Sequence, residues 1–271
     1  MAHVGRHKPL IIFDLDDTLV DTSELYWQAK TVFIALLHKY GFSEEYIENY
    51  FEQQDTANMV TLGFHPSRYG KTMKDVYANL IKAGKVKHPQ LLQDIITEIG
   101  ELVVKGVPEL IEGAVNMLKT LQTDYRLTLI TRGVEEVQFR KIYTHKLNIY
   151  FKDIRVVSRK DTELFRNYIY EFGSTPETTW IVGDSIRSEI NPGLEINAKC
   201  IHYIYKHVHY TWTQEHNMKI NKSNYYKCNS LSEVASIIRL HDNVTNQSQI
   251  KQKTQSVYKR LEGHPIYISR K

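Results

Sequence analysis

The sequence predicts an α/β fold, a doubly wound parallel β-sheet with an inserted α-helical unit. Short apolar runs bounded by polar or turn residues recur along the chain, which is typical of buried parallel strands. Helical patterns lie between these runs, and strands that alternate with helices of this length indicate βαβ units. More than a hundred residues without a clear strand separate the first run from the second. A simple crossover connection is much shorter, so we expect a separate helical unit there.

Each apolar run is predicted as one strand of the sheet. In chain order the predicted strands are 10–13, 127–130, 154–157, 180–182 and, with weaker patterns, 200–205 and 225–228. The helices predicted in this part of the chain are 110–121, 134–147, 161–172 and 231–240. Leu110, Ala114, Val115, Leu118 and Leu121 share one face of the first of these helices. Asp161 is a candidate N-cap of the third.

The long segment after the first strand is predicted to be helical. Residues 23–40 space Leu25, Ala29, Val32, Phe33, Leu36, Leu37 and Tyr40 as an apolar helical stripe, and 44–53, 66–82 and 89–105 are also helical in pattern. We therefore expect 22–105 to form an α-helical cap with its own small core, inserted between core segments 1–21 and 106–241. Residues 242–271 are polar and are expected to form a flexible tail or a peripheral extension.

Composition excludes several classes of protein. The 42% hydrophobic and 24% charged content is ordinary for a soluble globular chain, and a net charge of +4 is too small for a dedicated nucleic-acid binder. The sequence contains no run of about 20 apolar residues, and its polar N-terminus does not resemble a signal peptide. Two cysteines without metal-ligand spacing favour a reducing environment. We therefore expect a cytoplasmic protein without a membrane partner; its oligomeric state stays open.

The stretch LIIFDLDDTLVDT crowds carboxylates at the end of the first predicted strand. Asp14 and Asp16 are two residues apart, so they point to the same side at the carboxyl end of the strand, with Asp17 turned away. Ligands of open α/β sheets bind at this edge. Carboxylates held together there need a cation, and hard oxygen ligands suit Mg²⁺. The alternative is an acidic helix-capping turn.

Three further predicted strands end in residues suited to phosphate or metal. Thr131 and Arg132 follow one strand, and a hydroxyl with backbone N–H groups at such a turn binds phosphate. Lys160 follows the next strand and offers a point charge to phosphate. Asp184 ends a fourth strand, with Glu189 five residues later, and supplies a further metal ligand. Each segment alone has a plain structural interpretation, but together they predict a phosphoryl-transfer site.

These four motifs, in this order and each after a strand, resemble the haloacid dehalogenase-like (HAD) superfamily. The match consists of DxDxT at 14–18, Thr131, Lys160, and Gly183-Asp184 followed by an acid, and it covers about residues 10–240. The resemblance implies a Rossmann-like core, and the helical insertion resembles the superfamily's C1-type cap. It also implies the phosphatase type, because dehalogenases of the family lack the acid at the position of Asp16.

The resemblance implies a role for each matching residue. Asp14 would attack phosphorus and form an aspartyl-phosphate, and Asp16 would act as general acid and then as general base. The carboxylates of Asp14 and Asp184 and the backbone carbonyl of Asp16 would bind Mg²⁺. The residues that would bind the phosphoryl oxygens are Thr131, Arg132 and Lys160. Glu189 stands where the family usually has Asp; it would reach the water shell of the metal, or be a plain helix-surface acid.

The substrate implied is a small phosphate ester, such as a nucleotide, a sugar phosphate or phosphoglycolate. A phosphomutase of the same superfamily has the same motifs and stays open. A non-catalytic alternative is a phospho-signalling or phosphate-binding module, which the presence of both Asp14 and Asp16 disfavours. In the cap, His65 and Arg68 lie in a Gly- and Pro-containing stretch and are candidates for substrate contact. An ordinary solvated loop is the alternative there.

Overall fold

A six-stranded, all-parallel sheet forms the centre of the described chain. The computed structural model describes residues 8–82, 89–205 and 222–242. Along the sheet the strands lie in the order β3-β2-β1-β4-β5-β6. Their bounds are β1 Leu10–Phe13, β2 Arg126–Arg132, β3 Asp153–Val157, β4 Thr179–Gly183, β5 Lys199–Tyr203 and β6 Tyr225–Cys228. The predicted doubly wound α/β fold is confirmed, with each predicted strand present.

Helices cover both faces of the sheet and build the insertion. Their bounds are α1 Thr22–His38, α2 Glu44–Leu62, α3 Ser67–Lys82, α4 Pro89–Lys105, α5 Ala114–Leu121, α6 Glu135–Thr144, α7 Thr162–Glu171, α8 Asn191–Glu195 and α9 231–242. Helix α7 begins as predicted, because the Asp161 side chain accepts a hydrogen bond from the backbone N–H of Leu164 at 2.9 Å. No helix among the described residues is long and apolar enough to cross a membrane.

Strand β1 lies at the centre of the sheet and sets the position of the acidic motif. It is buried along its whole length, with Ile11 and Phe13 in one hydrophobic cluster and Leu10 and Ile12 in another. This alternation is what two covered faces of a sheet require. Phe13 is in register with Leu129 of β2 and Val182 of β4, so the next residues emerge side by side at one edge. The strand order reverses direction between β1 and β4, the usual position of a ligand crevice.

Helices α1 to α4 form the insertion and share a hydrophobic cluster separate from those of the sheet. Phe33 of α1 and Phe51 of α2 lie at its centre, with ring centroids 5.9 Å apart. Helices α3 and α4 cross at Gly70 and Gly100, where a Cβ atom built on Gly100 would lie 2.6 Å from the Cα of Gly70. Gly100 has no room for a side chain, and a Cβ atom on Gly70 would lie 3.2 Å from the Cα of Gly100, so glycine at this crossing lets the two backbones approach.

Several predicted boundaries differ from the structure. Helix α5 begins at Ala114 rather than at 110, because Leu110 is bridged to Val20 and Gly113 adopts a left-handed φ of 86°. Helix α2 continues to Leu62, well beyond the predicted 53, since its later polar residues are partnered inside the insertion. Val32, predicted in the apolar stripe of α1, is exposed, as is Tyr40.

The predicted tail begins one residue too early. Asp242 lies in the last helix, where its carboxylate pairs with Lys199 at 2.7 Å and accepts a hydrogen bond from the Tyr125 hydroxyl at 2.9 Å. Tyr125 is buried and Lys199 is half-buried, which explains why a polar residue ends a helix against the sheet. Residues 243–271 lie outside the described part of the chain.

Candidate active site

Asp14 leaves the end of β1 beside a lysine that is distant in sequence. Its backbone N–H donates to the carbonyl oxygen of Val182 at 2.9 Å, which continues the sheet by one residue. The Asp14 carboxylate forms an ion pair with the ammonium group of Lys160, and both side chains are buried. Lys160 precedes the N-cap of α7, so the strand-loop-helix geometry brings this charge to the edge of the sheet.

Two further carboxylates complete an acidic cluster. Oxygen atoms of Asp14, Asp184 and Glu189 all lie within 4.8 Å of one another. The loop that carries Asp184 is fixed by its backbone N–H, which donates to Thr18 Oγ1 at 3.1 Å, and by its carbonyl oxygen, which lies 2.9 Å from His202 Nε2. Thr18, the threonine of the DxDxT motif, therefore joins the two loops that carry Asp14 and Asp184.

Glu189 is buried in the cluster, so the surface-acid interpretation does not apply. It lies on a short π-helical turn, Ile186–Ile190, and its carboxylate is 2.7 Å from Lys160 Nζ. Gly183 makes room for it, because a Cβ atom at that position would lie 2.6 Å from Glu189 Cγ. The longer side chain thus fits the site because the preceding strand ends in glycine.

The charges of this cluster do not balance. Burial and then the neighbouring Asp14, Asp17 and Glu189 raise the pKa of Asp184 well above its usual value. Burial likewise raises the pKa of Glu189 to about 7, against the opposing effect of Lys160. Three carboxylates thus lie around one ammonium group in a largely buried site, which is costly unless another cation joins them. The residues present fit a hard divalent cation with oxygen ligands.

Asp16 lies apart from the cluster and has its own set of donors. Thr22 Oγ1 and Lys141 Nζ lie 2.5 Å and 2.6 Å from one carboxylate oxygen, and Gln138 Nε2 lies 2.7 Å from the other. Burial alone would raise the pKa of Asp16, but Lys141 and the hydrogen bonds from Lys141, Thr22 and Gln138 bring it below its usual value. The site therefore favours ionised Asp16.

Asp17 turns back toward the start of α1. It adopts a left-handed φ of 55°, and its carboxylate accepts from the backbone N–H and the hydroxyl of Ser23 at 2.7 Å and 2.6 Å. Burial raises its pKa to about 7. Its hydrogen bonds anchor the helix that leads into the insertion.

Thr131 and Arg132 end β2 beside Asp16. Thr131 Oγ1 accepts from Gln138 Nε2 at 2.5 Å, so Gln138 joins it to Asp16. The Arg132 guanidinium carbon lies 3.4 Å from the centroid of the Phe64 ring, which belongs to the insertion. Burial lowers the pKa of Arg132, against the opposing effects of Glu189 and Asp14.

A cavity of about 150 Å³ lies between the sheet edge and the insertion and brings most of the predicted site residues together. The predicted residues that line it are Asp14, Asp16, Arg132, Lys160, Asp184, Glu189 and Arg68. Thr131 is fully buried and does not line the cavity. His65 is exposed and outside the lining, and its Nδ1 lies 2.6 Å from the hydroxyl of Ser67 at the start of α3.

Among the lining residues that sequence reasoning missed are Thr22, Tyr26, Gln138 and Lys141. Gln138 and Lys141 are three residues apart on α6, so they share a helix face and both reach Asp16. A polar pair at this spacing on the first helix after Thr131 was the available signal. It was weak, because such a pair is also typical of a solvated helix face.

The fold and the site together define an α/β protein in which a helical insertion covers an acidic strand edge. The chain belongs to the haloacid dehalogenase-like hydrolase family, whose family model matches residues 11–203. It is 22% identical over 206 residues to a glyceraldehyde 3-phosphate phosphatase from Pyrococcus furiosus, covering 74% of this chain and 82% of the relative.

Two solved structures show the same fold. One is a haloacid dehalogenase-like family hydrolase from Xanthomonas campestris, with a TM-score of 0.73 and 24% identity, covering 90% of this chain and all of that one. The other is the HAD-hydrolase YfnB from Bacillus subtilis, bound to magnesium, with a TM-score of 0.58 and 19% identity, covering 86% of this chain and 99% of that one.

Proposed function

We propose that this hydrolase is a Mg²⁺-dependent phosphomonoester hydrolase that acts through an aspartyl-phosphate on Asp14. The observation that carries the proposal is the separation of two carboxylate environments at one sheet edge. Asp14 lies in the buried cluster with Lys160, Asp184 and Glu189, whereas Asp16 has its own donors two residues further along. Two carboxylates in different environments suit two different chemical roles.

In the first step an oxygen of Asp14 forms a bond to phosphorus and the ester P–O bond breaks. Asp16 gives its proton to the leaving oxygen. In the second step water attacks phosphorus, Asp16 takes the proton of that water, and the bond between Asp14 and phosphorus breaks. The ionised Asp16 favoured by Lys141 is the form that the second step needs. The first step needs the protonated form, so we expect the first step to slow as the pH rises.

The remaining residues neutralise and orient the transferred group. Lys160 balances negative charge at Asp14, and the Thr131 hydroxyl and the Arg132 guanidinium are donors for phosphoryl oxygens, because this transfer depends on positioning and charge neutralisation. The carboxylates of Asp14 and Asp184 and the backbone carbonyl of Asp16 would hold Mg²⁺, with Glu189 beside them. When bound, the cation would draw electron density from the phosphoryl oxygens and neutralise their charge. The magnesium in YfnB supports this choice of metal.

The expected substrate is a small phosphorylated metabolite. A cavity of about 150 Å³ is smaller than the roughly 300–1,000 Å³ typical of sites for drug-sized ligands, so only a small ester fits. The phosphatase from Pyrococcus furiosus is named for a three-carbon phosphate ester, which agrees with a small site. We also propose a cytoplasmic location, because Cys200 and Cys228 are both unpaired and buried.

Release of inorganic phosphate from a panel of phosphate monoesters tests the proposal. We expect hydrolysis with Mg²⁺, loss of activity with excess chelator, and recovery when Mg²⁺ is restored. Asp14→Asn should abolish turnover. Isomerised ester without free phosphate would indicate a phosphomutase instead, and tight ester binding without turnover would indicate a binding module.

A further inference from the structure

The insertion contributes one buried guanidinium to the cavity wall, and its hydrogen bonds are incomplete. Arg68, on α3, is 3% exposed and lines the same cavity as Asp14. Its Nη1 forms an ion pair with the Asp55 carboxylate. Among the described residues Nε has no hydrogen-bond acceptor, and Nη1 has none beyond this ion pair. Buried donors without acceptors are costly, because they lose water and gain nothing in return.

A network of buried polar side chains holds Arg68 in place. Asp55 accepts a hydrogen bond from Thr72 Oγ1 at 3.0 Å, and Asn58 Nδ2 lies 3.1 Å from the same hydroxyl. All four side chains are buried between α2 and α3. A buried ion pair is weak evidence for a role in stability, since apolar residues of similar size in its place often stabilise a protein equally well. The network instead resembles a support that fixes a guanidinium at a ligand site.

The other cations of the cavity already have partners. Lys160 pairs with Asp14 and Glu189, Lys141 pairs with Asp16, and Arg132 stacks on Phe64. In the proposed function, Lys160 and Arg132 serve the reacting phosphoryl group. Arg68 differs from them because it approaches from the insertion, on the opposite side of the cavity from the sheet edge.

We propose that Arg68 binds a second anionic group of the substrate, at the end remote from the reacting phosphoryl group. The inference rests on the proposed function and narrows its substrate to phosphate monoesters that carry a second anion. A planar guanidinium binds carboxylate and phosphate alike through paired hydrogen bonds. The small cavity favours a carboxylate on a short carbon chain over a second phosphate.

Matched pairs of esters test this inference. 2-Phosphoglycolate and 2-hydroxyethyl phosphate have the same chain length but end in a carboxylate and an alcohol, as do 3-phosphoglycerate and glycerol 3-phosphate. One charge-assisted interaction of about 1.5–3 kcal/mol corresponds to about 10- to 150-fold in kcat/KM. We expect the native enzyme to favour the acids by this factor, mainly through KM. 1,3-Propanediol bisphosphate separates a preference for carboxylate from a preference for any anion.

Variants assign the preference to Arg68. In Arg68→Met the ratio of kcat/KM between acid and alcohol should fall to near one, and Arg68→Lys should recover part of it. Because Arg68→Met leaves Asp55 buried without its partner, Asp55→Asn is added to the same variant and thermal unfolding is compared with the native protein. Lys71→Met, which removes an exposed lysine from the same helix, is the matched control and should keep the native ratio.

Binding to Asp14→Asn gives a second measurement that does not depend on hydrolysis. Calorimetry should show 2-phosphoglycolate bound more tightly than 2-hydroxyethyl phosphate, with the difference lost when Arg68→Met is added. Equal affinities, or a preference for the acid that survives in a folded Arg68→Met variant, would overturn the inference. Failure of the proposed function looks different, since no ester would be hydrolysed by the native enzyme while this binding comparison could still be made.

Discussion

Lys141→Met removes the ammonium group that contacts the proposed acid and base, Asp16, and keeps most of the side-chain volume. The lysine is 8% exposed and its Nζ lies 2.6 Å from the Asp16 carboxylate. Thr22 and Gln138 still donate to Asp16 in the variant. The change should therefore leave the carboxylate in the cavity but with a less fixed orientation and a higher pKa.

The expected loss follows from one hydrogen bond between charged groups. Such a bond contributes about 1.5–3 kcal/mol, and a tenfold change in rate corresponds to about 1.4 kcal/mol of activation free energy. We therefore expect kcat to fall by about 10- to 150-fold. Asp16 is 28% exposed, and water weakens the pair, so the lower part of this range is expected. KM should change little, because Lys141 acts through Asp16 rather than on the ester.

A pH profile of kcat with Mg²⁺ present is the informative assay. With a higher pKa, Asp16 stays protonated to a higher pH, so the decline of kcat on the alkaline side should move to higher pH in Lys141→Met. Lys141→Arg should restore part of the rate. Lys119→Met, an exposed lysine on α5, serves as control. A Lys141→Met enzyme with native kcat and an unmoved profile, but a lower melting temperature, would refute the role in catalysis and leave a structural one.

Two further predictions concern the insertion and the acidic cluster. Gly100→Ala should lower the free energy of unfolding by about 1–3 kcal/mol, measured by chemical unfolding, because the new Cβ would lie 2.6 Å from Gly70 Cα. This overpacking outweighs the roughly 1 kcal/mol by which alanine is favoured over glycine in a helix. The control, Glu98→Ala on the exposed face of α4, should not destabilise the protein, and equal effects of the two substitutions would contradict the close crossing. Burial raises the pKa of Glu189 from 4.5 to about 7, so the folded state holds a proton that the unfolded state releases, and with chelator present stability should fall as the pH rises from 4.5 to 7. Glu189→Gln should flatten this dependence in thermal unfolding, and a slope unchanged by the substitution would show that other groups cause it.

Local sequence patterns predicted the fold well, because its elements depend on signals that are close in sequence. The buried strands are short apolar runs, and Asp161 caps α7 through a residue three positions away. Errors arose where a distant contact decides the boundary. Leu110 pairs with Val20 rather than entering α5, and Asp242 is held by Lys199 and Tyr125.

The contrast between local signals and distant contacts also applies to the residues of the site. Asp14, Lys160 and Asp184 were predictable because each follows a strand within three residues, and parallel strands bring such residues to one edge. Gln138 and Lys141 were not predictable, because their partner Asp16 is more than a hundred residues away in sequence. The residues of a helix face do not indicate which part of the chain that face packs against. The burial of Arg68 against Asp55 was equally invisible, since only the crossing of α2 and α3 brings them together.

A covalent phosphoryl group on Asp14 is the central claim of the proposed mechanism. Rapid acid quench of the native enzyme with a ³²P-labelled phosphate ester and Mg²⁺ tests it directly. We expect acid-stable, hydroxylamine-sensitive label in the peptide that contains Asp14, formed and lost within the time of one turnover, and none in Asp14→Asn. Full phosphatase activity in Asp14→Asn, or label on a different residue, would contradict the mechanism.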